Sequence, residues 1–275
     1  MRFAICNEVF EGLSLADQFR IAKELGFDAI ELAPFTITPY VTDITAAQRA
    51  EIADTAANAG LALAAIHWVL AETEGFHATH PDATVRRKTI DYLRALVDFG
   101  TDIGAGAMIV GSPLQRTLLE NVTYAEAWSW FAEAMAAAGE HGAAAGFRIC
   151  IEPLAPSVQN TFLFKACEAA KMARQIRLPN VGVIIDTYSG TLAEEDLPAA
   201  IRATGDLLFH YHCNDLNKRA PGWGRIDFTA VLRALLDIEF DGYCSIEVFD
   251  FSLEPREHVG RGLAHLRECL AKAAH

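Results

Sequence analysis

The sequence predicts an α/β fold, a single (β/α)8 barrel over residues 1–275, and three observations carry that expectation. Eight short runs rich in Ile, Val, Leu and Ala alternate with longer amphipathic stretches, the pattern of repeated strand–helix units around a parallel sheet. A length of 275 residues lies within the usual range of one such barrel. An open doubly wound sheet would usually carry a glycine fingerprint after an early strand, and neither G-x-G-x-x-G nor G-x-x-x-x-G-K occurs.

The expected strands, in chain order, are residues 3–7, 29–32, 62–67, 107–110, 148–152, 183–186, 208–212 and 244–248. A helical stretch follows each. Thr45 with Gln48, and Thr123 with Glu126, have the spacing of capping boxes, in which a hydroxyl and an acidic or amide side chain satisfy the first free N–H groups of a helix. Gly26, Gly60 and Gly146 stand where a helix ends in a left-handed residue. The Ala-rich stretch 132–145 is a strong helix former with an apolar face, and no Gly/Ser-rich linker or charge block divides the chain.

A hydrophobic content of 52% is enough for a sizeable core. The formal charge of −13 argues against nucleic acid or an anionic membrane as partner, since both require a basic footprint. Residues 1–10 lack the features of a signal peptide and no apolar run approaches a membrane span, so the expected location is cytoplasmic. The six cysteines form no C-x-x-C pair, and four of them fall in or directly at the end of expected strands (Cys6, Cys150 and Cys244 within them, Cys213 just after His212), which predicts reduced, buried thiols.

Four successive apolar runs in the second half end on a residue able to bind a metal: RICIEP on Glu152, GVIIDT on Asp186, FHYHCND on His212 and CSIEV on Glu247. Their spacings of 34, 26 and 35 residues each match one strand–helix repeat, so consecutive parallel strands would each deliver one side chain to the C-terminal mouth of the barrel. Three carboxylates and one imidazole are a mostly hard donor set, suited to Mn²⁺, Mg²⁺ or Co²⁺, with Zn²⁺ also accommodated. Without a cation the three carboxylates would repel one another and force at least one proton to stay. His210 shares a strand face with His212 and is expected one layer deeper, whereas Cys213 is turned away.

Over nearly its whole length the chain resembles the sugar isomerases and epimerases of the xylose isomerase-like TIM-barrel superfamily, in particular the ketose 3-epimerases typified by D-tagatose 3-epimerase. The residues that carry the resemblance are Ile151-Glu152-Pro153-Leu154, Asp186-Thr187, His210-Tyr211-His212 with Asn214-Asp215 and Asn217, Pro221-Gly222-Trp223-Gly224-Arg225, and Ile246-Glu247. It implies one divalent ion, commonly Mn²⁺, held by Glu152, Asp186, His212 and Glu247, with the two glutamates as the acid/base pair. It implies a small sugar as substrate and a dimer or tetramer of the chain as assembly. Proton removal beside the ketose carbonyl would give a cis-enediolate; return of a proton to the same carbon gives an epimer and return to its neighbour an aldose.

The chain departs from that pattern around the substrate. Ser189 stands where the family has His, Lys218 where it has Arg, and Val158 where it has Glu. Further candidates for substrate contact are His67 and Trp68 at the end of the third strand, Glu31 at the end of the second, Gln115 and Arg116 in the loop after the fourth, and Arg219 and Arg225 after the metal histidine. Alternatives within the superfamily are a dehydratase or a C-glycoside-cleaving enzyme acting on a keto-inositol or keto-sugar. An apurinic-site endonuclease would need additional histidines where Gly111 or Ser112 and Ser189 stand, and a noncatalytic sugar-binding barrel has no need of two proton-transfer groups.

Overall fold

Eight parallel strands close into a barrel in the computed structural model, which describes residues 1–193 and 195–275, and each strand pairs with its sequence neighbours. The strands are β1 (Arg2–Cys6), β2 (Ala29–Leu32), β3 (Ala62–Ile66), β4 (Ala107–Val110), β5 (Arg148–Ile151), β6 (Val181–Asp186), β7 (Leu208–Cys213) and β8 (Tyr243–Ile246). Around them run α1 (Leu15–Leu25), α2 (Ala46–Ala59), α3 (Ala83–Asp102), α4 (Tyr124–Gly142), α5 (Ala166–Ile176), α6 (Thr187–Leu192), α7 (Leu197–Thr204), α8 (Phe228–Asp237) and α9 (Pro255–Ala273). The ring is completed where β1 meets β8, with Ala4 opposite Ser245. No helix among the described residues is long and apolar enough to cross a membrane.

Local signals act where the sequence places them. Thr45–Gln48 and Thr123–Glu126 form complete capping boxes. Gly26, Gly60 and Gly146 end their helices at φ of 94°, 66° and 66°, a left-handed conformation that costs glycine nothing. The strands differ from the expected bounds by at most two residues at their ends, and β5 and β8 stop just before Glu152 and Glu247, whose N–H groups still donate to the Val110 and Cys213 carbonyls of the neighbouring strands.

Two layers of apolar packing hold the barrel. Outward-facing residues such as Ile5, Ile30, Ile149 and Tyr211 pack under the helices in the large cluster, while small sets close the interior, with Ala4, Ala29 and Ala64 in one and Ile109, Cys150 and Ile184 in the other. Six cysteines are free; five are buried and Cys167 is exposed, unlike the buried thiols expected. Its place on α5 outside the barrel accounts for that.

Strict alternation fails at two points, and both shape the site. Opposite β6, register passes from Val183↔Leu208 to Ile184↔His210, leaving Phe209 as an extra residue on β7. Phe209 and His210 therefore both face inward, Phe209 packing with the interior cluster and under the Arg148 guanidinium. Gly182 makes this possible, since a Cβ there would meet the Phe209 ring at 2.5 Å. A similar shift between β2 and β3 turns both Ala64 and Ala65 inward and sets His67 on the interior face.

Buried Asn180 staples the lower half of the sheet: its Nδ2 donates to the carbonyls of Gly139, at 2.8 Å, and Phe147, at 2.9 Å. Replacing it by alanine strands two buried carbonyls, each costing on the order of 1 kcal/mol or more. Asn180→Ala is expected to lower the unfolding free energy by about 2 kcal/mol in chemical denaturation, without change in the denaturant slope.

Candidate metal and catalytic site

Glu152, Asp186 and His212 come together at the C-terminal mouth, with ligand atoms of all three within 4.8 Å of one another. Glu247 joins them through His212, its Oε2 lying 3.1 Å from Nδ1, while Glu152 Oε1 lies 3.9 Å from the same nitrogen. All four side chains are buried. Asp186 and His212 are register partners on β6 and β7, so sheet hydrogen bonding alone fixes them side by side. Glu152 and Glu247 arrive from strands on either side of that pair.

Each ligand candidate is held from behind. Asp186 caps α6, its Oδ1 accepting from Ser189 N at 2.6 Å, and its Oδ2 accepts from Asn214 Nδ2 at 2.6 Å. Asn214 in turn takes the Tyr188 N–H at 2.7 Å. Glu247 Oε1 accepts from the Trp68 indole N–H at 2.8 Å, leaving Oε2 toward His212. The space for Glu152 depends on Gly111, because a Cβ there would collide with Glu152 Oε2.

One layer below, Glu31 is fully buried and gathers three strands. Its Oε2 accepts from Ser245 Oγ at 2.6 Å and faces His210 Nε2 at 2.7 Å, and its Oε1 faces His212 Nε2 at 3.1 Å. His67 lies alongside, with Nδ1 3.6 Å from Glu31 Oε1 and Nε2 2.9 Å from Glu8 Oε2. His212 thus faces a carboxylate on each ring nitrogen, Glu31 on Nε2 and Glu247 on Nδ1, and a cation at the site would take the Nδ1 lone pair while Glu31 keeps the Nε2 proton.

Electrostatics mark the mouth as strained. Burial, reinforced by the charges of Glu247 and Asp186 against the pull of His212, pushes the Glu152 carboxyl up to about 8. Burial and Glu247 raise Asp186 to about 7. Glu247 goes the other way: burial would raise it, but the His212 imidazole and the Trp68 N–H outweigh burial and hold it below the usual carboxylate range. Glu31 is likewise buried yet held well below that range by His210, His212 and His67.

A divalent cation fits this set on grounds internal to the structure. His212 Nδ1 is buried and makes no hydrogen bond, the carboxylates around it resist ionising together, and the donors are three hard oxygen groups and one imidazole.

The remaining candidates fall in three places. His67, Trp68, Gln115, Ser189 and Lys218 line a cavity of about 550 Å³ whose floor is Glu152, Asp186, His212 and Glu247. Ser189 is spoken for, its Oγ accepting from Ala155 N at 2.6 Å. Glu31 lies beneath the cavity, among the histidines. The arginines reach elsewhere: Arg219 pairs with Asp250 at 2.7 Å, Arg225 is exposed with its N–H on Asp215, and Arg116 is buried over the Phe131 ring, its guanidinium nitrogens without a hydrogen-bond partner among the described residues. Burial lowers Arg116 to about 10. Glu8 was not anticipated as a site residue; its sequence signal is a lone carboxylate in the short segment Asn7–Phe10 just past β1. Nor were Tyr188, Leu114 and Phe249, which line the cavity from the first turn of α6, from a 3-10 turn after β4 and from the loop after β8.

Comparison with known proteins adds a family. Residues 19–269 match the family model described as Xylose isomerase-like TIM barrel. The D-psicose 3-epimerase of Agrobacterium fabrum is 30% identical over 237 residues, covering 84% of this chain and 77% of that protein. That of Ruminiclostridium cellulolyticum is 28% identical over 234 residues, covering 84% and 76%. A crystal structure of D-psicose 3-epimerase in the presence of D-fructose superposes with a TM-score of 0.87 over 98% of this chain and 99% of that one, at 22% identity.

Mn²⁺ at roughly 100 times its dissociation constant is expected to stabilise the fold by about 2.7 kcal/mol, read as a rise in melting temperature. Asp186→Ala should abolish that rise while the metal-free protein remains folded by circular dichroism. An equal rise in the variant would place the ion elsewhere.

Proposed function

We propose that this chain, which belongs to the xylose isomerase-like TIM-barrel family, is a divalent-metal-dependent isomerase that epimerises a ketose at the carbon next to its carbonyl. The observation that carries this reading is the placement of two buried glutamates, Glu152 and Glu247, on either side of one imidazole nitrogen and one aspartate. Two relatives of that activity, at 30% and 28% identity, support it.

Glu152, Asp186, His212 and Glu247 would hold the ion, with Mn²⁺ as the first choice. When bound, the ion supplies the positive charge that polarises the ketose carbonyl and acidifies the adjacent C–H. The work of this chain is proton transfer and positioning. One glutamate removes the proton from C3 at a carboxylate oxygen, and the other returns one to the opposite face. Trp68 fixes one oxygen of Glu247 through its indole N–H, so that only Oε2 is left to face the site. Glu31 holds the His212 ring from below, and Asn214 and the Ser189 N–H fix both oxygens of Asp186. The aromatic side chains of Trp68 and Phe249 and the β4 loop narrow the access of water to the reacting carbon.

Incubation with D-fructose and D-psicose in deuterated water with Mn²⁺ is expected to place deuterium at C3, followed by nuclear magnetic resonance. Glu152→Gln and Glu247→Gln should each reduce exchange by at least about 10²-fold, the usual contribution of a general acid or base. Absence of exchange across a wide ketose panel would overturn the reading. Trp68→Phe, which keeps the ring and removes the N–H, is expected to lower kcat about tenfold with KM changed by less than about threefold, because it disturbs Glu247 and leaves the wall in place.

A further inference from the structure

The cavity above the four ligand candidates extends from a charged floor to a wall that carries large apolar side chains. Its volume of about 550 Å³ falls in the range that encloses drug-sized ligands. Its floor carries the buried carboxylates and imidazoles that a ketose carbonyl and its neighbouring hydroxyls need. Higher up, Trp68 and Leu114 line it while remaining 43% and 57% exposed, a large apolar surface left facing solvent. Phe249 and Tyr188 continue the Trp68 side, with ring centroids 6.4 Å and then 5.7 Å apart. Val158 also lines the cavity.

Backbone strain collects at the same rim. Eight non-glycine residues among those described have positive φ, and four of them line this one cavity: Trp68 at 50°, Glu72 at 57°, Gln159 at 61° and Lys218 at 66°. Side chains with a Cβ avoid that conformation, and such residues gather where function holds them. The exposed Glu72, Gln159 and Lys218 bring a carboxylate, an amide and an ammonium to the edge of an otherwise apolar wall.

We propose that the outer half of the cavity is a subsite for a second sugar ring, so that the substrate is a ketose linked to another sugar. This rests on the epimerase reading above. A pyranose presents C–H groups on its faces and hydroxyls at its edge. The faces suit the Trp68 ring and the Leu114 side chain, since an aromatic face attracts the positive edge of C–H bonds. The hydroxyl edge suits Glu72, Gln159 and Lys218, which donate and accept hydrogen bonds at the rim.

The test compares deuterium incorporation by the Mn²⁺-loaded protein into D-fructose, D-psicose, and fructose bearing glucose at O4 or at O6. At least one glucosyl-fructose is expected to show kcat/KM tenfold or more above both free ketoses. Leu114→Ala and Gln159→Ala, both at exposed positions away from the glutamates, should each reduce that preference at least threefold. Equal or higher kcat/KM for the free ketoses overturns the subsite and leaves the epimerase reading standing. A phenyl group in place of glucose that outperforms it tenfold overturns the assignment to a sugar. No exchange with any of these substrates overturns the epimerase reading and the subsite with it.

Discussion

The contact between Glu31 and His212 is the constraint on which the site depends. A fully buried carboxylate is tolerated inside the barrel only because three strands bring it donors: His210 and His212 from β7, Ser245 from β8, and His67 beside it from the end of β3. Those bonds do more than satisfy the charge. By taking the Nε2 side of His212, Glu31 leaves Nδ1 as the nitrogen that faces Asp186, Glu152 and Glu247. The histidine is thereby oriented from within the barrel, and the carboxylates gather around a fixed point.

Above that layer the protein assembles negative charge that its arginines do not pair with. Arg219 is held by Asp250, Arg225 is exposed, and Arg116 lies behind the β4 loop without an ion pair. Burial, with the neighbouring carboxylates, pushes Glu152 and Asp186 toward holding their protons, while Glu247, beside His212 and the Trp68 indole, is drawn toward ionisation. A divalent cation resolves this imbalance with one charge centre. Without a cation the charges of these carboxylates stay out of balance.

Much of this was legible in the chain. Strand–helix spacing gave the barrel, and the four apolar runs ending on Glu152, Asp186, His212 and Glu247 gave the floor of the site, because a parallel barrel sends successive strand ends to one face. The capping boxes at Thr45 and Thr123 were readable because they are local hydrogen-bond patterns. The bulge at Phe209 was not. It depends on Gly182 of the neighbouring strand leaving room for an aromatic ring, and no pattern within residues 208–213 records that. Glu31 and Glu8 were equally opaque in role, since their partners lie 179 and 59 residues away.

What the sequence by itself determined is the architecture and the residue types that can bind a metal, since both follow from periodicity along one chain. What only the tertiary structure decided is orientation: which nitrogen of His212 faces the site, which oxygen of Glu247 Trp68 occupies, and which cations reach the cavity and which are already paired. Arg219 and Lys218 illustrate the difference, adjacent in sequence, one bonded to Asp250 and the other lining the pocket. Spacing fixes where a Cα arrives on the barrel, whereas the direction of a side chain is set by hydrogen-bond partners that other strands and loops supply.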